Sequence, residues 1–332
     1  MSRRVLVTGR SGFVGGKLAD RLSALGWSVT GIGRRQLDQP NYLSHDLGNP
    51  LPRELEGRFD AVVHAAARSN PWGKRTQYER DNVKATQNVI DFCNRNGKPK
   101  LIYISSSSVY YRSQHQLDIT EQTPLPAKSV NLYAETKRKG EELIRNYQGP
   151  WAILRPRAVF GPGDTVLLPR IVEAAKQGKL PLLVAPGESI IGDLIYIDNL
   201  TDYIIKAVED DKIQGDYNLT NNEPVPIIDF LMDVLGKLEI PLPTRRVSVR
   251  TAMFGAAVLE GFHKIFRPSR EPAITRFGVH VFAYSKTFDV SKSIRDMGTP
   301  KINIEQGIKQ TILAMKSDDP EKISGTSPGS HL

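Results

Sequence analysis

Three glycines near the start of the chain limit its fold more than any other feature. Residues 5–8 are Val-Leu-Val-Thr, and Gly9, Gly12 and Gly15 follow. The first glycine allows a tight turn, the second lets backbone approach a bound group, and the third lets a helix pack on a strand. We predict a strand over 5–8, a helix over 13–25, and a dinucleotide pyrophosphate at the helix N-terminus. The expected contacts in this turn are Gly9, Arg10, Ser11, Gly12, Phe13, Val14 and Gly15.

Short apolar segments alternate with amphipathic ones along the first half of the chain. We predict strands over 28–32, 61–66, 101–105 and 151–155, and helices over 83–94 and 131–147. Several of these strands are nearly continuous apolar runs, which is typical of a parallel sheet covered on both faces. The alternation therefore predicts a doubly wound α/β fold with a parallel sheet of the Rossmann type.

The pattern changes after Arg155, and Pro and Gly cluster at 160–164 and 181–187. We predict a strand over 194–198 that returns to the sheet, a helix over 200–209, and shorter segments from about 223 onward. This organisation predicts a dinucleotide-binding domain of 1–160 and 193–220 beside a smaller, discontinuous substrate lobe of 161–192 and 221–316. Residues 317–332 contain few apolar side chains and are expected to be disordered.

The composition argues against several classes of protein. The single cysteine, Cys93, excludes an internal disulfide and is expected in the core, and the six histidines lack metal-ligand spacing, so no metal is predicted. The net charge of +9 suits an anionic cofactor or acidic substrate, or serves solubility alone. The basic residues are scattered without a nucleic-acid motif, which argues against nucleic acid. No apolar run approaches the roughly 18 residues of a membrane span, and no signal peptide precedes the first strand, so we expect a cytoplasmic protein.

The end of the second predicted strand determines which dinucleotide is expected. NAD-binding folds usually place an acid there for the ribose 2′-hydroxyl, but this chain has Gly33 followed by Arg34 and Arg35. Guanidinium groups would pair with a 2′-phosphate, and Arg10 in the glycine turn is a third candidate. The sequence therefore predicts NADP(H), although each arginine taken singly could be a solvated surface charge.

Further cofactor contacts are expected where other strands end. Asp46 and Leu47 should end the third strand near the adenine, and the small residues Ala65, Ala66 and Ala67 should let the cofactor lie against backbone. Asn82 is a further candidate at the start of the helix that follows, where a helix N-cap is its structural alternative.

Tyr133 and Lys137 form a Y-x-x-x-K pair on a predicted helix. Positions i and i+4 share one helix face, so the phenol and the ammonium can point to the same place. A tyrosine pKa is ordinarily about 10, and a nearby ammonium is expected to lower it toward useful acid–base chemistry. The pair gains significance from the serines at 105–108, which end a predicted strand where a ligand crevice should open.

Taken together, these motifs resemble the extended short-chain dehydrogenase/reductases across residues 1–316. The resemblance rests on TGRSGFVGG at 8–16, HAAA at 64–67, NVKAT at 82–86 and YISSSSVY at 103–110. It continues with YAETK at 133–137, LRPRAVFGPGD at 154–164 and DLIYIDNL at 193–200.

The resemblance implies roles for particular residues. It makes Ser106, Tyr133 and Lys137 catalytic, with Tyr133 and Lys137 also touching the cofactor, and places Ser107 and Ser108 nearer the substrate. It implies that residues after the Arg-Pro pair bracket the nicotinamide amide; these are Pro156, Ala158 and Val159. The sequence departs from many relatives at Tyr111, where they have glycine, and this side chain is expected to reshape the substrate pocket.

Later segments favour one branch of this family. Residues 161–183 and 271–293 are similar to 3-beta-hydroxysteroid dehydrogenases and to 2-alkyl-3-oxoalkanoate reductases. We therefore expect an NADP(H)-dependent ketone reductase or secondary alcohol dehydrogenase with a largely apolar, small-molecule substrate. The alternatives are a nucleotide-sugar epimerase or dehydratase of the same fold, and a non-catalytic NADP-binding scaffold. A homodimer is also a family expectation.

The segment at 251–266, TAMFGAAVLEGFHKIF, is apolar on most faces and has basic residues on both sides. Such a helix can lie on an anionic membrane surface. Packing in the fold or against a second copy is the alternative, and we favour it at this point.

Overall fold

A seven-stranded parallel sheet forms the centre of the computed structural model, which describes residues 2–55, 57–70, 72–184, 189–267, 270–272 and 274–317. In spatial order the strands are β12 (Gly215–Leu219), β7 (Trp151–Pro156), β5 (Lys100–Ile104), β4 (Ala61–His64), β1 (Arg4–Thr8), β2 (Ser28–Gly33) and β3 (Tyr42–Ser44). The chain order reverses between β1 and β4, which opens a crevice at the carboxyl ends of those strands. The predicted doubly wound α/β fold is confirmed.

In the described residues, some helices cover both faces of this sheet and others pack beside it. They are α1 (Phe13–Ala24), α2 (Arg75–Tyr78), α3 (Ala85–Arg95), α4 (Leu132–Arg145), α5 (Leu168–Lys176), α6 (Ile197–Glu209), α7 (Ile227–Lys237), α8 (Val249–Phe266), α9 (Arg276–Ala283), α10 (Ser291–Met297) and α11 (Ile304–Ser317). In β1, Val5 and Val7 pack with α1 and α6, whereas Leu6 packs with α3 on the other face. This two-sided burial explains why β1 is a continuous apolar run.

Three smaller sheets lie outside the central one. Their strands are β13 (Val225–Pro226), β10 (Ile191–Gly192), β15 (Lys286–Phe288) and β6 (Gln116–Ile119) in the first, β11 (Ile195–Tyr196) and β8 (Val159–Phe160) in the second, and β14 (Arg246–Ser248) and β9 (Leu182–Val184) in the third. Strand β6 comes from the predicted dinucleotide-binding domain yet pairs with β15 of the predicted substrate lobe. The division of the chain into two domains stays a prediction.

The predicted strand over 194–198 was wrong in extent and in partner. Only Ile195–Tyr196 is extended, and it pairs with β8 in a two-stranded sheet. The strand that returns to the central sheet is β12, which lies beside β7. Residue Ile197 instead begins α6, whose apolar face packs on the sheet, so helical packing replaces strand pairing there.

Three further predictions concern Cys93, the C-terminal residues and the possibility of a membrane span. Cys93 is fully buried and unpaired, so its expected core position is confirmed. The predicted disordered tail falls, apart from Ser317, outside the described residues. Within the described part of the chain, no helix combines the length and apolar character that crossing a bilayer requires.

Helix α8 packs on α9 through its small residues. Ala252 and Ala256 are buried in a cluster with Val279 and Ala283 of α9. Glu260 is also buried, and its carboxylate pairs with Arg276 at 2.9 Å. The large apolar side chains of α8 lie on its other side and are exposed.

A buried ion pair fixes helix α4 to the central sheet. Glu141 of α4 and Arg155 of β7 are almost fully buried, and the guanidinium donates to both carboxylate oxygens at 2.7 and 2.6 Å. The Ser105 hydroxyl at the end of β5 donates to the same carboxylate at 2.6 Å. This bidentate geometry satisfies both charges away from water and sets the position of α4.

We predict that Glu141→Ala lowers the free energy of unfolding by about 3–5 kcal/mol, because it leaves the Arg155 guanidinium buried with less compensation. Urea denaturation measures this loss. The matched control is Glu142→Ala, since the Glu142 side chain is 61% exposed and only loosely paired with Arg138 at 3.6 Å. Equal effects of the two substitutions would contradict this role for Glu141.

Candidate active site

The glycine turn between β1 and α1 is built by close backbone approach. Gly9 has φ of +74°, and a Cβ added there would lie 2.8 Å from the Ala66 nitrogen. A Cβ on Gly15 would lie 2.3 Å from the Gly9 carbonyl oxygen. Gly12 is the N-cap of α1 and supplies no side-chain cap, so the first N–H groups of the helix are left for an anionic ligand.

A cleft of about 350 Å³ opens at this turn. It is lined by Gly9, Ser11, Gly12, Gly33, Arg34, Arg35, His45, Asp46, Leu47, Gly48, Ala65, Ala66, Ala67, Asp81 and Ala85. Ten of these positions are among the predicted cofactor contacts, and the structure brings them together from the ends of four strands. Backbone amides, small side chains and two arginines around one cleft fit a phosphate-bearing dinucleotide.

Five residues of this lining were not predicted from the sequence: Gly33, His45, Gly48, Asp81 and Ala85. Gly33 had been used only to mark the absence of an acid. Most of them directly flank predicted contacts, so nearness in sequence to Arg34, Asp46 and Asn82 was the available signal.

Arg34 lies in a cluster of three arginines around one buried carboxylate. The Asp81 side chain is 6% exposed. Its carboxylate forms ion pairs with the guanidinium groups of Arg34 at 3.1 Å, Arg68 at 2.9 Å and Arg80 at 3.2 Å. The Arg34 side chain itself is 55% exposed, and Arg35 is exposed at the same rim. Positive charge therefore exceeds negative charge at this end of the cleft.

Other predicted cofactor residues lie outside that lining. The Arg10 guanidinium pairs with Asp20 at 2.6 Å and donates to the Gly16 carbonyl at 3.1 Å, so it is directed along α1. Phe13, Val14 and Gly15 belong to α1 itself. The remaining members, Asn82, Tyr133, Lys137, Pro156, Ala158 and Val159, come from later elements and are not part of the lining.

Helix α4 places Tyr133 and Lys137 on one face. Its N-terminus is capped by Asn131, whose side chain accepts the Ala134 N–H at 2.8 Å. Lys137 is 1% exposed, and its ammonium lies 4.0 Å from the centre of the Tyr103 ring. Burial lowers the pKa of Lys137 to about 7, against the opposing charge of Glu141.

The Tyr133 phenol interacts with the hydroxyl of Ser106. Burial raises the pKa of Tyr133 to about 12, the Ser106 hydroxyl opposes that rise, and Tyr111 adds to it. The expectation that the pKa of Tyr133 lies below its ordinary value was wrong, because removal of the phenol from water outweighs the other effects on it.

The serines after β5 form a short turn. Ser106 caps it, accepting the Ser108 N–H at 3.2 Å, and its hydroxyl lies 2.9 Å from that of Ser108. Ser107 lies 3.2 Å from the Tyr111 hydroxyl. The structure thus brings Ser106, Ser107, Ser108 and Tyr111 together beside Tyr133, as sequence reasoning expected of one site.

Asn82 does not begin a helix. It lies inside a π-helical turn, Glu79–Lys84, which joins α2 to α3, so the N-cap alternative was wrong. Its side chain donates to the Thr136 hydroxyl of α4 at 2.9 Å and accepts the Arg68 N–H at 2.7 Å. Isolated π turns are frequent at functional sites, and this one links α4 to the loop that follows β4.

Residues after β7 approach the same region. Ala158 has φ of +41°, an unusual backbone conformation for a residue with a side chain, between Pro156 and Val159. The neighbouring Arg157 is buried and lies 5.3 Å from the centre of the Tyr111 ring. Lys286 of β15 approaches that ring at 5.8 Å, a contact that sequence reasoning missed because the two residues are far apart along the chain.

His64 at the end of β4 is fully buried between two threonines. Its ring nitrogens lie 2.7 Å from the Thr8 hydroxyl and 3.0 Å from the Thr86 hydroxyl. Burial, and to a lesser degree the charge of Lys137, lowers its pKa to about 3. His64 therefore stays neutral and joins β1, β4 and α3 beneath the cleft. Among the described residues, no group of histidine, cysteine or acidic side chains is placed to hold a metal ion.

Comparison with known proteins agrees with this geometry. Residues 5–220 match the NAD dependent epimerase/dehydratase family. A 2-alkyl-3-oxoalkanoate reductase of Shewanella oneidensis is 33% identical, over 92% of this chain and 84% of the relative. The human sterol-4-alpha-carboxylate 3-dehydrogenase, decarboxylating, is 27% identical, over 95% of this chain and 89% of the relative.

Solved structures extend the comparison to the fold. The UDP-glucuronic acid 4-epimerase of Bacillus cereus, in complex with NAD, superimposes with a TM-score of 0.71. The match covers 95% of this chain and 99% of the epimerase at 22% identity, a level at which the likeness concerns the fold alone.

We predict that the stability of the protein falls on acidification partly through His64. The imidazole takes up its proton near pH 6.5 in the unfolded chain but only near pH 3 when folded, so below pH 6.5 the unfolded chain binds more protons. Between pH 7 and pH 5 the wild type should lose about 2 kcal/mol more stability than His64→Gln. Urea denaturation at both pH values measures this difference, and all other titrating groups are common to both proteins. Parallel losses in the two proteins would argue against a neutral, buried His64.

Proposed function

This chain belongs to the NAD dependent epimerase/dehydratase family, and we propose that it is an NADP(H)-dependent reductase of a largely apolar ketone. The reverse reaction would oxidise the corresponding secondary alcohol. The observation that carries the proposal is that Tyr133 and Lys137 share one face of α4, with Ser106 at the end of β5 among the groups that act on the Tyr133 phenol.

The cleft at the glycine turn supports a nicotinamide dinucleotide as cofactor. The uncapped N-terminus of α1 would receive the pyrophosphate, and Ala65, Ala66 and Ala67 leave room beside the backbone. When bound, the dinucleotide would supply the hydride for reduction or accept it in the reverse reaction.

Preference for the phosphorylated coenzyme is inferred from charge. The end of β2 carries Gly33, Arg34 and Arg35 where an acid would select the ribose 2′-hydroxyl. The partly exposed Arg34 retains donors beyond its contact with Asp81, and Arg35 stands free among the described residues. Both guanidinium groups could therefore pair with a 2′-phosphate.

Tyr133 is the proposed proton donor to the carbonyl oxygen. Because burial raises its pKa to about 12, the phenol is protonated at neutral pH and can give its proton to a developing alkoxide. Ser106 would donate a hydrogen bond to the same oxygen. Lys137, held by burial near a neutral pKa, would bind ribose hydroxyls and offset the phenolate charge as it forms.

The apolar substrate class is inferred from the relatives and from the site's aromatic wall. Both named relatives act on ketones or alcohols of mainly hydrocarbon molecules, by their names. Tyr111 stands buried beside the serine turn, and Tyr78 is buried near Tyr133. These rings would add aromatic surface for a substrate beside Tyr133.

A nucleotide-sugar epimerase is the second candidate, because residues 5–220 match a family that is named for epimerases and dehydratases. It would return the hydride to its substrate and consume no net coenzyme, which separates it from a reductase. A non-catalytic scaffold is a weaker candidate, because both Tyr133 and Lys137 are present and share one helix face.

We predict that Tyr133→Phe lowers kcat by roughly 10²–10⁴-fold, the usual contribution of a positioned acid–base group. The assay is NADPH absorbance with a panel of steroids and β-keto acids. Coenzyme affinity should stay within a fewfold, which separates lost chemistry from lost folding. The matched control is Tyr217→Phe, whose hydroxyl contacts Asp296 away from the cleft and whose loss should leave kcat nearly unchanged. Near-normal turnover by Tyr133→Phe would refute the assignment.

We predict that Arg34→Ser combined with Arg35→Ser reduces the preference for NADP(H) over NAD(H) by about ten- to a hundredfold, the size of one or two charge-assisted hydrogen bonds. Calorimetric titration with both coenzymes measures this ratio. Arg53→Ser, at an exposed arginine away from the cleft, should leave it unchanged. An unaltered ratio in the double variant would remove the charge argument.

A further inference from the structure

Helix α8 exposes six large apolar side chains, and the five other than Leu259 form a stripe that we call the α8 apolar face. The exposed fractions are 74% for Phe254, 55% for Val258, 46% for Phe262, 73% for Ile265 and 68% for Phe266. At 3.6 residues per turn, their spacing of 4, 8, 11 and 12 residues from Phe254 puts them within about a third of the helix circumference. They therefore form one continuous stripe.

This arrangement is the reverse of ordinary helix packing. A surface helix usually turns its large apolar residues inward, but α8 buries Ala252, Ala256 and the ion-paired Glu260 instead. Exposure of the stripe is thus a consequence of how α8 docks on α9. An exposed contiguous apolar surface of this kind marks an interaction site.

Unpaired positive charge is concentrated in α8 and in the residues next to it. Six basic residues on and around α8 are exposed and form no ion pair within the described part of the chain: Arg245, Arg246, Arg250, Lys264, Arg267 and Arg270. Residues 245–267 contain one acid, Glu260, and its carboxylate is already paired with Arg276. The surface is therefore both apolar and cationic.

We propose that the α8 apolar face docks on an anionic lipid bilayer, with α8 lying in the plane of the interface. Apolar side chains enter the acyl boundary while arginines and a lysine meet lipid phosphates, the combination that holds interfacial helices. A second copy of the chain fits less well, because a two-fold contact would bring the same cations of both copies together. The net charge of +9 acts in the same direction.

Docking of α8 on a bilayer would bring the candidate active site close to the membrane, an inference that rests on the proposed function. The ring of His263 in α8 lies edge-on to the ring of Trp72, with 6.3 Å between the ring centres. Trp72 belongs to the loop between β4 and α2. That loop leads to α2, where Arg75 pairs at 2.5 Å with Glu135 of α4, the helix that carries Tyr133. The candidate active site is therefore next to the docking surface, where an apolar substrate would arrive from the bilayer.

Flotation of the full-length protein with vesicles tests the proposal. The wild type should float with vesicles of equimolar phosphatidylcholine and phosphatidylglycerol and stay behind with phosphatidylcholine alone. Phe254→Ser/Ile265→Ser/Phe266→Ser should reduce binding at least tenfold, and Arg250→Gln/Lys264→Gln/Arg267→Gln should do so most strongly at low salt. The control Leu117→Ser/Leu313→Ser removes two equally exposed apolar residues elsewhere and should bind like the wild type.

Two results would overturn the docking surface. One is absence of the wild type from anionic vesicles. The other is a dimer in sedimentation velocity that the Phe254/Ile265/Phe266 variant dissolves, because a second copy would then cover the face. Circular dichroism of each variant verifies folding. Tyr133→Phe should float like the wild type, so failure of the proposed chemistry and failure of membrane docking are distinguishable.

Discussion

The buried carboxylate of Glu141 is the contact on which the candidate active site depends. Glu141 is one turn after Lys137 and two turns after Tyr133, so all three share one face of α4. Arg155 of β7 donates hydrogen bonds to both carboxylate oxygens of Glu141, and Ser105 at the end of β5 donates to the same carboxylate. The helix is thereby set against two strands at once, which also fixes the phenol relative to Ser106, the residue next to Ser105.

Removal from water is the dominant electrostatic effect around this helix. It keeps the Tyr133 phenol protonated, lowers the pKa of Lys137 to about 7 and keeps His64 uncharged. A low-dielectric site of this kind strengthens every hydrogen bond made inside it. The glycine turn provides the contrasting element, since its free helix N-terminus and the adjacent Arg34 attract negative charge. The cleft and helix α4 therefore have complementary electrostatic properties.

Much of this organisation follows from local sequence, and the rest depends on contacts between distant segments. The glycine turn, the buried strands and the core position of Cys93 were predictable, because spacing and apolar runs encode them directly. The pairing of β6 with β15, the Arg155 partner of Glu141 and the arginines around Asp81 were not, since each joins residues that no local pattern relates. Apolar composition located α8 correctly, but it could not say which side of the helix faces outward.

Tracing the hydride is the most direct test of the central claim, that a bound coenzyme reduces a ketone whose oxygen is held by Tyr133 and Ser106. NADPH carrying deuterium at both hydrogen positions of nicotinamide C4 is incubated with the wild type and the ketone panel, and the masses of the products are measured by mass spectrometry. The account predicts one deuterium on the carbinol carbon for each coenzyme oxidised. Turnover of a nucleotide sugar with no net loss of coenzyme, or alcohol product without deuterium, would contradict it.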